Sequence, residues 1–179
     1  MGDRFKELSG MALKELEEVF ARMDDSSVRE LLERIKKTDR IFLLGAGREG
    51  LAVRSFAMRL MHLGKKAYWI WDDTTPSIGK GDLMICACGS ANVGHENYIA
   101  KMAKDNGADL ALITPSDEGY LLTIADIVTK VPAAAYKAVG DFVPTGQLMG
   151  NLFEQGLFIF FDILVMMLRE EMNIAPEEM

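Results

Sequence analysis

Residues 41–61 read IFLLGAGREGLAVRSFAMRLM, and the fold follows from this stretch. The apolar residues Ile41 to Leu44 run into a glycine-rich turn, Gly45-Ala46-Gly47-Arg48-Glu49-Gly50. Beyond the turn, apolar residues recur at Leu51, Val53, Phe56, Ala57, Leu60 and Met61. A short apolar run that stops at glycine predicts a parallel strand buried on both faces, and the spacing after it predicts a helix with one buried side. Glycines allow a sharp turn and bring backbone N–H groups close to a ligand. The helix that follows directs the positive end of its dipole at the same point, which suits an anion.

The same alternation continues outward. Apolar positions from Phe5 to Met23 share one helical face, Asp24-Asp25-Ser26-Ser27 offers a cap, and Val28, Leu31, Leu32 and Ile35 mark a second helix. After the strand at 40–45 and the helix at 48–63, strands are predicted at 67–71, 83–87, 110–113 and 127–131. A helix is predicted at 93–106, a short one at 121–125, and a long final helix at 145–172. The tail, Pro176-Glu177-Glu178-Met179, is expected to fray. The whole is read as one domain, 1–179: a helical pair to residue 37, an α/β core over 38–144 and the terminal helix. Strands alternating with helices predict a three-layer αβα sandwich around a five-stranded parallel sheet, flavodoxin-like or Rossmann-like. Ligands in such folds sit beyond the carboxyl ends of the strands. Two small-residue turns belong there, 45–50 and 88–92.

Composition narrows the function. A formal net charge of −7 argues against a general nucleic-acid binder. The most apolar stretch, Gly156 to Leu168, is interrupted by Asp162 and is short of the ~18 residues of a membrane span. It is read as a core or interface helix, with no membrane partner. Cys86 and Cys88 would share one strand face, too close in sequence to bridge and without a second pair for a metal site. They read as reduced, buried thiols of a cytoplasmic protein.

The chemistry-bearing residues are few. Gly45, Gly47 and Gly50 form G-x-G-x-x-G between a strand and a helix, and Asp72 follows the second strand, so a dinucleotide site is one alternative. The turn Cys88-Gly89-Ser90-Ala91-Asn92-Val93 supplies N–H groups, a hydroxyl and an amide at a helix start; this is a phosphate cradle or a plain connection. His62 stands at a helix end, where an exposed structural histidine is the simpler reading. His95 reads as a surface or capping residue. Glu154 emerges from an apolar helix, where a carboxylate needs a partner, a water or a task. Asp162, two turns on, competes for that task.

With these residues in view, the chain resembles the sugar isomerase (SIS) domain family and, within it, the 6-phospho-3-hexuloisomerase branch. The matching stretches are GAGREG at 45–50, FAMRLMHLG at 56–64, TTPSIGKGDL at 74–83 and QLMGNLFEQ at 147–155. The resemblance implies isomerisation of a 3-hexulose 6-phosphate to fructose 6-phosphate through an enediol, in a homodimer or homotetramer whose sites are shared between subunits. It implies that Glu154 moves the proton and that His62 assists ring opening or orients the sugar. Gly45, Gly47, Arg48, Glu49, Cys88, Gly89, Ser90 and Asn92 of the two turns, with Thr75, would hold phosphate and hydroxyls. No metal or organic cofactor is expected, because an enediol needs only a placed acid and base.

The chain departs from the family pattern in both turns. Glu49 stands where the family has serine, and Cys88 to Val93 stand where it reads S-G-S-G-E-T, leaving Gly89 and Ser90 in common. A lost hydroxyl contact costs roughly 1 kcal/mol, whereas a carboxylate ~4 Å from a phosphate charge costs about 4 kcal/mol at an effective dielectric of about 20. Glu49 therefore matters more than the lost hydroxyls, unless it points away or pairs with Arg48 or Arg54; otherwise phosphate is bound differently or is absent. A non-catalytic module that senses a sugar derivative is the alternative to the enzyme.

Overall fold

The computed structural model describes residues 2–179. Helices α1 (Gly2–Ala21) and α2 (Asp25–Lys37) lead into β1 (Arg40–Gly45), α3 (Gly47–His62), β2 (Lys66–Trp69), β3 (Leu83–Ala87), α4 (Gly94–Asp105), β4 (Asp109–Thr114), β5 (Ile127–Lys130) and α5 (Asn151–Glu171). All strand pairs are parallel and the sheet order is β2-β1-β3-β4-β5. This is the flavodoxin-like order, not the two-halved order of a dinucleotide fold. Strand periodicity divides the core. Ile41, Leu43, Leu83, Ile85 and Ile113 face α2, α3 and α5, while Phe42, Leu44, Met84, Cys86 and Leu112 face α4. Cys86 and Cys88 fall in the same layer and are free and buried.

Asp24 caps α2 as expected, accepting from the N–H groups of Ser26 and Ser27. The predicted helix at 121–125 is a 3₁₀ turn at Tyr120–Thr123, and the tail closes in another at Pro176–Glu178. The long final helix starts six residues later than expected, at Asn151 instead of Thr145. The cause is Glu15 of α1, whose carboxylate accepts from the Thr145 hydroxyl (2.8 Å), the Gly146 N–H (2.8 Å) and the Gln147 amide (3.0 Å). That network holds 145–147 in an irregular path that no local signal announces.

α5 is long and apolar enough to cross a membrane by length and composition, yet it is part of this core. Leu152, Phe153, Leu157, Phe160, Phe161, Leu164 and Leu168 are buried. Phe161 stacks on Phe56 of α3 with centroids 4.5 Å apart, a contact whose truncation to alanine costs ~3–5 kcal/mol. Arg48 meets Glu154 and Phe56 meets Phe161, so α3 and α5 run side by side in one direction and bring their N-termini to the same end of the sheet.

Candidate active site

That end carries a cleft of about 390 Å³ lined by Ala46, Gly47, Arg48, Glu49, Gly89, Ser90, Asn92, Val93, Tyr136, Lys137, Met149, Gly150 and Glu154. Three helices open onto it. The cap residues of α3, α4 and α5 are Ala46, Val93 and Gly150, and none makes a side-chain cap bond. The first-turn N–H groups of an α-helix have no partner within the helix, so three positive dipole ends converge on one space. Gly47 permits the first turn with φ +54. Each of the three helices also places one glutamate in its first turn: Glu49, Glu96 and Glu154.

The three acids differ in their partners. Glu154, with 15% of its side chain exposed, pairs with Arg48 at 2.7 Å. The approach lies outside hydrogen-bond geometry. Arg48 also donates to Asn151. Glu49 is half-buried, and both its oxygens accept from the Gly89 N–H at 3.2 Å. It pairs with neither Arg48 nor Arg54, and it points into the cleft. Neither way out of like-charge repulsion is therefore taken, because Arg48 is engaged by Glu154. Burial pushes the Glu49 carboxyl up to about 8; the nearby charges of Glu96 and Glu154 add to this and the Gly89 N–H opposes it. Glu96 is fully buried, and neither oxygen meets hydrogen-bond geometry with a partner among the described residues. Burial raises its pKa, although the Cys88 thiol, His95 and the Ala46 N–H near it favour the charged form. Both thiols are pushed up as well, first by burial and then by the charge of Glu96.

The turn after β3 is tightly committed. The Cys88 N–H donates to Ile113 O, the Ala91 N–H to Cys88 O, and the Asn92 N–H to the Ser90 hydroxyl. A methyl group on Gly89 would lie 2.7 Å from both Glu49 Oε1 and Ala135 Cβ, so only glycine lets the carboxylate approach. Ser90 and Asn92 line the cleft with Lys137.

The structure thus gathers Gly47, Arg48, Glu49, Gly89, Ser90, Asn92 and Glu154, with Gly45 and Cys88 packed behind the turns. Two expected members lie elsewhere in the chain. His62 ends α3, a helix of 16 residues and about 24 Å, so within one chain it stands far from Glu154. Thr75 donates its hydroxyl to Trp69 O at 2.6 Å and lines a separate cavity with Phe42, Ile70 and Met84. Asp72 borders that same cavity. Asp162 is exposed and does not compete with Glu154. Among the described residues no three His, Cys, Asp or Glu side chains are grouped to hold a metal ion. Glu96 and Glu15 escaped the sequence reading. The signal for Glu96 was its spacing from Ala100 and Ala103, which put it on the buried side of α4.

No protein-family model matches the chain. It is 34% identical to a 3-hexulose-6-phosphate isomerase of Mycobacterium gastri over 179 residues, 100% of this chain and 89% of the relative. It is 34% identical to another of that description from Bacillus subtilis over 167 residues, 93% of this chain and 90% of the relative. Among solved structures, a Methanococcus jannaschii protein described as inferring a 3-hexulose-6-phosphate isomerase function superposes with a TM-score of 0.81 at 30% identity, covering 96% of this chain and 94% of that one. With its five-stranded parallel sheet, N-terminal helices and long last helix, the chain belongs to the SIS-domain family, among the relatives of the 3-hexulose-6-phosphate isomerases.

Proposed function

We propose that the protein is a sugar-phosphate isomerase that interconverts 3-hexulose 6-phosphate and fructose 6-phosphate. The observation that carries this reading is Glu154, a carboxylate held by Arg48 in the first turn of α5 and facing the cleft between the two turns. Glu154 takes the C2 proton of the 3-hexulose while the C3 oxygen gains a proton, giving a 2,3-enediol. The O2 proton then leaves as Glu154 returns its proton to C3, and the carbonyl has moved to C2. One carboxylate serves both halves, with the helix N-termini stabilising negative charge on the enediol oxygens. Ser90, Asn92 and Lys137 hold the sugar's polar end. No cofactor enters this scheme. Solvent deuterium entering fructose 6-phosphate tests it. Exchange by the unaltered protein supports the isomerase; tight binding of ketose phosphates with no exchange replaces it with the sensing module.

The same reading places His62 at the cleft of a second copy, in a cytoplasmic homodimer or homotetramer with shared sites. What supports this is the outward side of α3 and α5, where Leu51 (59%), Met58 (53%), Met61 (52%) and Met166 (60%) are exposed beside Phe158, Ile159 and Ile163. Apolar area of this kind on adjoining helices marks an association surface. A monomeric mass by light scattering at micromolar concentration removes the shared site and His62 with it.

A further inference from the structure

The Gly89 N–H is where an incoming anion would meet the second turn, and the protein's own acid already holds it. Among the described residues no cation pairs with Glu49. The charged and titratable groups around it are Arg48 on its own helix, Glu96 from α4, Glu154 from α5, Cys86 and Cys88 from β3 and its turn, and Tyr136 and Lys137, which line the cleft from the segment after β5. Arg48 is engaged by Glu154 and Asn151. Glu96 is fully buried, and among the described residues neither of its oxygens meets hydrogen-bond geometry with a partner. An additional dianion beside a charged Glu49 would therefore meet the carboxyls of Glu49, Glu96 and Glu154, with Lys137 also lining the cleft.

Resting on the reading that the cleft takes a sugar phosphate, we propose that Glu49 determines what the cleft accepts: it occupies the Gly89 N–H and admits a phosphate only when its carboxyl carries a proton. The carboxylate gains one proton from solution, and the resulting carboxylic acid donates its O–H to a phosphate oxygen, taking the place of a hydroxyl donor. With Glu49 pushed up to about 8 in the open cleft, the acid is mostly neutral at pH 7 and mostly charged at pH 9.5. A bound dianion raises it further. Affinity for a sugar phosphate is then flat near pH 7 and falls about tenfold per pH unit above 8. The phosphate's own second ionisation, near pH 6, lies below this window, and the thiols, pushed up by burial, lie above it.

The test is calorimetry of fructose 6-phosphate binding to the full chain between pH 7 and 9.5, in buffers of different ionisation enthalpy. Proton uptake should climb from near zero at pH 7 toward one at pH 9.5 as affinity weakens. Glu49→Gln, which keeps the acceptor for Gly89 and adds a fixed donor, should bind with no uptake and a flat pH profile. Glu96→Gln should retain the uptake. Binding of fructose 6-phosphate by the unaltered protein without uptake, or an equal slope in Glu49→Gln, overturns the inference and leaves the sugar-phosphate reading standing. If the parent and Glu49→Ser bind no ketose phosphate at any pH, both fall. The profile of the unaltered protein decides the matter even where a variant fails to fold.

Discussion

Glu154 and Glu49 face one cleft from the first turns of two helices packed side by side, and their surroundings differ. Glu154 sits against a guanidinium at 2.7 Å. Glu49 has a single backbone N–H and the company of other carboxyls. Both positions lie at positive helix ends, so dipoles alone do not separate them. Burial acts first on Glu49, and Arg48 goes to Glu154. Glu154 has the cation; Glu49, half-buried and without one, carries its proton to higher pH.

The comparison breaks most visibly at Glu154. Glu154→Gln keeps shape and removes the base, so turnover should fall by at least roughly 10²-fold, with circular dichroism and oligomeric mass unchanged. Full activity in that variant would move the base to Glu49 or His62. Another buried acid, Glu15, gives the contrast of a purely structural carboxylate. Burial would raise its pKa, but bonds from Gly146, Gln147 and Thr145 outweigh burial and lower it. Glu15→Ala should cost roughly 2 kcal/mol at pH 7, since hydrogen bonds to a charged group are lost. A depressed carboxyl stabilises the fold above its unfolded value and loses that effect as pH falls through the folded one. The deficit measured by denaturant melts should therefore shrink below about pH 4.5.

Glu49 has the opposite sign. Its folded value of about 8 lies above the ordinary 4.5, so the folded state binds more protons and stability falls as pH rises from about 4.5 to 8. Glu49→Gln should raise Tm by roughly 3–8 °C at pH 9 and by less than about 2 °C at pH 5. Equal shifts at both pH values would mean that the gain is packing and not charge. The smallest change is expected from Arg48→Met, which leaves Glu154 as unpaired as Glu49. A partly exposed ion pair contributes up to ~1 kcal/mol, so kcat/KM should drop about fivefold. A change below about twofold would show that Arg48 does not set the difference between the two acids.

Much of this was legible from local pattern. The strand-turn-helix at 41–61, the Asp24 cap and the apolar positions of α5 each depend on residues a few places apart, and local spacing reports them. The start of α5 was not, because 145–150 carries no stop signal and Glu15 reaches it from the other end of the chain. Glu154 could be singled out as a carboxylate on an apolar helix, whereas Glu96 hid among ordinary surface glutamates until the buried side of α4 was fixed by Ala100 and Ala103.

By itself the sequence determined the fold class, the two turns and the candidate base, since periodicity, glycine spacing and burial preference act along the chain. Only the tertiary structure decided that Arg48 goes to Glu154, that Glu49 closes on Gly89, and that Thr75 and His62 stand apart from the cleft within one chain. Charge pairing is a competition among groups brought together in space. Its outcome depends on distances of a few ångströms between elements that the sequence holds far apart.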